Sequence, residues 1–240
     1  MKGWSLGVGW ARPLAVAEGT LTFGPFVEYG RGSYDSYLDD GTHADGTASY
    51  LGLGVMAKLK TTDGTWAEAS MRLGRTKSDY AGVLDGTAAS YDSASSYYAG
   101  HLGIGKELRL REKDTLNVYL RYFHAHTGAA DETISTGERY HFDAVNSHRT
   151  RLGLRWTQEL KDAAQLYAGL AWEYEFGGDA RASYDGEGTP TPTLKGSSAL
   201  LELGYRFAPK ASRVNYDLHL TGWQGKRQGV TGGASVNWMF

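Results

Sequence analysis

Val230-Thr231-Gly232-Gly233-Ala234-Ser235-Val236-Asn237-Trp238-Met239-Phe240 ends the sequence. Val230, Ala234, Val236, Trp238 and Phe240 fall on one parity, and Thr231, Ser235 and Asn237 on the other. A period of two is the mark of a β-strand with one apolar and one polar face. Trp and Phe at the end of such a strand suit a wall that faces lipid, where aromatic residues collect at the membrane interfaces. An ordinary strand of a soluble β-sandwich is the competing reading of this segment taken alone.

Composition supports the first reading. Gly (33) and Tyr (16) are abundant, while Pro numbers 5 and Cys is absent, as suits many strands with aromatic belts rather than a disulfide-stapled domain. The mean hydropathy of −0.44 does not argue for solubility, because membrane strands alternate and average to mild polarity. No run approaches the ~18 apolar residues of a membrane helix. The net charge of −2 and pI near 6.4 give no support to nucleic-acid binding, and no partner of that class is expected.

Working back from the terminus, the alternation recurs. Trp4, Leu6, Val8 and Trp10 share a face; so do Leu51, Leu53 and Val55; Ala67, Ala69, Met71 and Leu73; Leu116, Val118, Leu120 and Tyr122; Leu152, Leu154 and Trp156; Leu166, Ala168, Leu170 and Trp172; and Leu201, Leu203 and Tyr205. About eleven strands result, each near the ten residues of a tilted membrane strand. Connections near 13–18, 61–64, 111–115, 161–165 and 208–213 read as short. Those near 34–47, 77–96, 127–146 and 178–196 read as long and are rich in Asp, Gly, Ser and Thr, with 223–229 intermediate. Short and long alternate, which places them on opposite rims of an up-and-down antiparallel β-barrel. Met1-Lys2-Gly3-Trp4 leads straight into a strand with no n-region or h-region. Eleven is odd for a single-chain bacterial barrel, so about twelve strands are expected in the complete domain, with residues 1–240 lacking one strand upstream.

Charge fixes the faces. Arg149, Arg151 and Arg155 oppose Leu152, Leu154 and Trp156 in parity. On a lipid face each Arg would cost about 2–4 kcal/mol at the midplane, so the three are expected inside. The same argument sends Glu68, Arg72, Arg121, Glu173, Glu175, Glu202, Arg206, Asp217 and His219 to the lumen. A charged pore lining and a set of wall salt bridges that stiffen a small barrel both fit this pattern. Lys106 and Glu107 differ in parity, and Lys106 is expected at the short-turn interface, where its ammonium can reach water.

With these residues in place, the chain resembles the translocator β-domain of classical autotransporters, the type V secretion proteins. The resemblance rests on Gly24-Pro25-Phe26-Val27-Glu28-Tyr29-Gly30, on Gly52-Leu53-Gly54, on Ala199-Leu200-Leu201-Glu202-Leu203-Gly204-Tyr205-Arg206-Phe207, and on the terminal segment. It implies a barrel of about twelve strands in the outer membrane of a Gram-negative bacterium, in contact with its lipid. It further implies a helix threading the lumen and an N-terminal passenger exported to the surface. Val236, Trp238 and Phe240 then look like the signal read by the barrel assembly machinery. The passenger, the lumenal helix and the first strand are missing from this pattern here. A stand-alone porin-like channel for small solutes is the alternative, and an omptin-like outer-membrane protease a third.

Other chemistry is thinly marked. His124 and His126 share a face but lack a third ligand at fixed spacing, so no metal site is expected. Asp217-Leu218-His219 is similar to the Asp-x-His of omptins and could activate water, but the nearest candidate for the opposing carboxylate pair is Asp39-Asp40, and adjacent residues point to opposite faces. Gly52-x-Gly54 and Gly103-x-Gly105 precede no helix, so they read as small inward residues on strands rather than dinucleotide loops. No catalytic residue and no cofactor is expected.

Overall fold

The computed structural model describes residues 1–37, 43–84, 86–209 and 212–238, with backbone alone at 36, 37, 43, 84 and 162. Alternating segments become strands β1 (Lys2–Gly9), β2 (Arg12–Val16), β3 (Gly19–Tyr37), β4 (His43–Thr61), β5 (Thr65–Leu84), β6 (Thr87–Arg109), β7 (Asp114–Thr127), β8 (Ala130–Thr133), β9 (Arg139–Phe142), β10 (Val145–Glu159), β11 (Ala164–Glu175), β12 (Ala182–Tyr184), β13 (Glu187–Gly188), β14 (Gly196–Phe207), β15 (Val214–Gly225) and β16 (Gly229–Trp238). Among the described residues the sole helical piece is a 3-10 turn at Lys161–Ala163.

The large sheet is antiparallel throughout and runs β1-β3-β4-β5-β6-β7-β10-β11-β14-β15-β16. β2 also pairs with β3, so β1 and β2 are one strand interrupted at residues 10 and 11. The interruption lies beside Pro25, which has no N–H to give; the ladder continues through Trp10, whose N–H donates to the Pro25 carbonyl at 3.0 Å. Eleven spans result, as the alternation predicted.

Period-2 geometry sorts the two faces. Val118, Leu154, Leu170 and Leu201 lie side by side on one rung, and Leu170 is 65% exposed. One residue along, Tyr119, Gly153, Ala171, Leu200 and Trp223 form a rung on the opposite, concave face. Trp172 and Tyr205, toward opposite ends of the span, add aromatic surface to the outward aliphatic band, as membrane interfaces favour. Curvature is helped by glycine. Trp66, only 1% exposed, lies over Gly105, where a Cβ would come within 2.6 Å of the indole. Tyr119 over Gly153 and Tyr167 over Gly204 repeat the arrangement. In Gly-x-Gly at 103–105, Gly105 makes room for the Trp66 ring and Gly103 for the Glu68 and Arg121 side chains, so both are small inward residues on a strand, as their sequence context implied.

Two expectations need correction. Most of segments 34–47 and 77–96 is strand rather than long loop: β3 runs to Tyr37, β4 starts at His43, β5 runs to Leu84 and β6 starts at Thr87, with Leu84 paired to Thr87. With 19–23 residues, β3 to β6 exceed the roughly 9–11 that a tilted span needs, and stand on the order of 20–30 Å beyond it. Polar residues hid this extension, because outside lipid the ladder persists without an apolar face. Likewise the connection placed at 13–18 contains β2 and shrinks to residues 17–18. Asp39, Asp40 and Phe240 lie outside the described residues.

Segments 127–146 and 178–196 do leave the barrel wall, but they fold into a second sheet ordered β13-β12-β9-β8. It docks on β6 through Ser135, whose N–H donates to the Ser90 carbonyl (2.9 Å). Buried Ile134, Ala89 and Ala44 lie in this outer region. Rings step across the junction from Tyr80 through Tyr91, Phe142 and Tyr140 to Tyr184, at centroid separations of 5.1 to 6.3 Å.

Two outcomes are expected. Leu154→Arg should destabilise the folded barrel by about 2–4 kcal/mol if it sits near the midplane, seen as loss of the heat-modifiable folded band on a gel. Wild-type mobility for this variant would mean that the faces are inverted. The second concerns His141, whose pKa is raised by its hydrogen bond to Asp131 (2.6 Å), by that carboxylate's charge and by Asp143. A raised folded-state pKa stabilises the small sheet fully below the unfolded value near 6.5, and the gain fades as pH rises through the higher folded value. NMR titration of His141 should give a midpoint above 6.5 that falls in Asp131→Asn. An identical midpoint in that variant would remove Asp131 as the cause.

Candidate functional site

The concave face carries the residues that charge alone assigned to the lumen. Strand parity puts Arg149, Arg151 and Arg155 of β10 on it, with Glu173 and Glu175 facing them from β11 at the directly paired positions: Arg151 opposite Glu173, and Arg149 opposite Glu175. Glu173 is 1% exposed and is the centre of the largest cluster. It accepts from Arg151 Nη2 at 2.7 Å and Nε at 3.0 Å, and from Arg227 Nη1 at 2.9 Å, with Arg149 Nη1 at 3.6 Å. A buried carboxylate against three guanidiniums is compensated several times over, which offsets its desolvation. Glu175 is held differently, by the Ser147 hydroxyl (2.5 Å) and by the N–H groups of His148 (2.8 Å) and Gly177 (3.0 Å). Arg149 approaches it only at 3.7 Å.

Arg155 pairs beyond the adjacent strand. Its neighbour on β11 is Gly169, so the guanidinium passes over and grips Glu202 of β14 in a bidentate pair, Nε to Oε2 at 2.9 Å and Nη2 to Oε1 at 2.8 Å. The glycine is what allows this reach. Asp217 of β15 accepts from Arg206 Nε (3.1 Å) and from the Tyr167 hydroxyl (2.9 Å), with His219 Nδ1 at 3.4 Å. Tyr167 lies between Arg155 and Arg206, at 4.9 and 5.9 Å from the ring centroid, a cation–π arrangement on both sides.

A second group forms around Glu68 and Glu28. Arg121 sits directly opposite Arg151 on the paired strands, a like-charge contact that is unfavourable by itself. It is relieved because Arg121 Nε donates to Glu68 at 2.7 Å while its guanidinium packs on Trp66 and Tyr119. Lys58 and His101 flank Glu68 at 3.5 Å each. Arg72 pairs with Glu28 at 3.3 Å, and the Tyr97 hydroxyl donates to the same carboxylate at 2.7 Å.

All twelve residues expected in the lumen thus share one face, and each takes part in an ion pair or hydrogen bond with another side chain on it. Glu28, Tyr97, Tyr167, Trp66 and Arg227 belong to the same wall and were missed. Parity could have found Glu28, since it alternates with Val27 and Tyr29; Arg227 lies in a turn, where parity gives no signal. Of the remaining candidates, Lys106 reaches Asp63 in the short turn at 3.0 Å, and Glu107 takes Lys60 at 2.7 Å. His124 pairs with His148 on the outward face, with ring centroids 4.6 Å apart, and His126 Nδ1 meets Asn146 Oδ1 at 2.8 Å. Val236 and Trp238 are each 65% exposed on the outward face of β16.

Removing the hub carboxylate should be costly. Glu173→Gln leaves three guanidiniums facing a neutral amide and is expected to destabilise the barrel by about 3–5 kcal/mol, read as a lowered urea midpoint in lipid vesicles. An unchanged midpoint would show that the cluster adds nothing to stability.

Comparison with known proteins follows the same lines. A comparison with curated proteins finds no match. Solved structures that share the fold include the β-domain of the Bordetella autotransporter BrkA (TM-score 0.79, 22% identity, 99% of this chain and 91% of that one), the translocator domain of NalP from Neisseria meningitidis (0.74, 18%, 99% and 81%) and the transport unit of AIDA-I from Escherichia coli (0.72, 13%, 98% and 81%). The family model for the autotransporter beta-domain, a family of outer-membrane barrels of Gram-negative bacteria, matches residues 1–220, and the chain belongs to the autotransporter β-domain family.

Proposed function

We propose that the charged inner wall of this outer-membrane translocator is a conduit surface for a passenger segment, and that the barrel carries out no chemical step of its own. The observation that carries this reading is the self-pairing of the wall. Glu173, Glu202, Asp217, Glu68 and Glu28 each have a cation within ion-pair distance, so little charge is left to grip a solute. A surface that is polar yet internally satisfied wets readily and holds a passing polypeptide weakly. Asp217 and His219 fit this role better than catalysis, because Asp217 is committed to Arg206 and Tyr167.

Two partners follow from the outer face and the sheet edges. Val236 and Trp238, with Phe240 beyond them, form the apolar pattern that we assign to recognition by the barrel assembly machinery. Among the described residues, β1 pairs only with β3 and β16 only with β15. A groove of about 880 Å³ between them is bordered by Gly3, Ser5, Gly233 and Ala234. We assign this gap to one further strand, which would satisfy backbone groups that lipid cannot.

The experiment is a display assay in a Gram-negative host. A secretion signal and an epitope-tagged segment are placed ahead of residue 1, with and without a strand-length alternating segment between them. The tag is expected on intact cells, removable by added protease, and at higher yield with the extra strand. A folded barrel with the tag retained in the periplasm in both forms would overturn the conduit reading.

A further inference from the structure

The outward face of β3, β4 and β5 changes character over two residues. Val8, Val27, Leu53, Leu73 and Tyr98 form one rung across the paired strands. The next, away from the short turns, holds Tyr29, Leu51 and Arg75, and the one after it Arg31, Ser49 and Lys77. All three cations are exposed and on the lipid-facing parity. Lumenal charges are paired with one another, but among the described residues neither Arg75 nor Lys77 has an ion-pair or hydrogen-bond partner. Arg31 interacts electrostatically with Asp79 further out, whose carboxylate is already engaged by the Thr47 N–H (2.8 Å) and hydroxyl (2.5 Å).

A second, independent feature adjoins Arg75 and Lys77. A groove of about 590 Å³ runs over Val27, Leu51, Leu53 and Leu73 and ends at Arg75 and Lys77. Its wall is almost wholly apolar apart from that end. Unpaired cations at the margin of an apolar band suit the interface rather than the midplane, where each would be strongly penalised. Arg and Lys together are the side chains that bind phosphate oxygens, Arg by a two-toothed contact and Lys as a point charge.

We propose that Arg31, Arg75 and Lys77, with the groove beneath them, form a binding site for a phosphorylated glycolipid of the outer leaflet, phosphate on the cations and an acyl chain in the groove. The site rests on the outer-membrane placement of the family and is separate from the lumenal wall. It also gives the half of the barrel built from β3 to β5 a fixed lipid contact on the rim that bears the long strands.

The test uses the folded 240-residue chain in neutral detergent, with native mass spectrometry as the readout. The probes are bisphosphorylated lipid A, the same lipid with both phosphates removed, and inorganic phosphate. Wild type is expected to retain bisphosphorylated lipid A one-to-one and to release the dephosphorylated lipid, with no displacement by inorganic phosphate. Arg75→Gln/Lys77→Gln should weaken retention by about tenfold or more, while Lys106→Gln, at the opposite rim, retains the lipid as wild type does. Equal retention of both lipids by wild type, displacement by inorganic phosphate, or undiminished retention by the folded double variant would each overturn the site. The wild-type comparison of the two lipids stands even if the double variant does not fold. Heat-modifiable mobility is followed in parallel for the chain with and without a strand-length segment ahead of residue 1: failure of both forms to fold in detergent or lipid argues against the barrel reading itself, whereas a folded chain that ignores the phosphates argues only against this site.

Discussion

In hydrocarbon a peptide group has no water to bond to, and each one left unpaired costs several kcal/mol. That constraint comes before every other feature of this chain. It forces the eleven spans into one continuous antiparallel ladder, and it explains why even the Trp10 N–H beside Pro25 is used. Once the ladder is fixed, side chains have only two directions to take. On the wall strands, the chemistry of each side chain is a consequence of which parity it falls on.

The outward direction asks little of sequence beyond apolarity, whereas the inward one is demanding. Small curved sheets crowd their concave side, and Gly105, Gly153 and Gly204 make room there for Trp66, Tyr119 and Tyr167. Those rings in turn position cations: Arg121 lies on Trp66 and Tyr119, and Tyr167 separates Arg155 from Arg206. Glycine, ring and guanidinium are thus stacked in successive layers from the wall toward the lumen, and the carboxylates close the layer by bridging between strands. The like-charged neighbours Arg121 and Arg151 coexist because each leans away from the other, toward Glu68 and Glu173.

Much of this was legible in the sequence because lipid enforces a strict code. Leu152, Leu154 and Trp156 against Arg149, Arg151 and Arg155 cannot be read in two ways once a membrane is assumed, and the strand count and the inward set follow. Reading failed where the code lapses. Beyond the membrane, Ser90, Ser93 and Ser95 need no apolar partner, so the upper half of β6 looked like loop although its ladder with β5 is unbroken to residue 87. Glu28 escaped because a single charge in an aromatic-rich strand stood out less than three arginines. Arg227 sits in a turn, where position in space is set by the closing of the chain rather than by alternation. The skip from Arg155 to Glu202 depends on Gly169 between them, a three-strand relation that one sequence does not spell out.

The split between the faces has a bearing on how such a gene can drift. Outward sites such as Leu170 or Leu203 are interchangeable among many apolar residues, since lipid conforms to whatever shape it meets. Glu173 is different, because three separate positions depend on it, and no single replacement satisfies all of them. Neighbouring codons along one strand therefore live under opposite regimes, one permissive and one locked. Change at the locked positions must arrive as coordinated sets, so related barrels can diverge widely in sequence while their inner clusters alter only in discrete jumps.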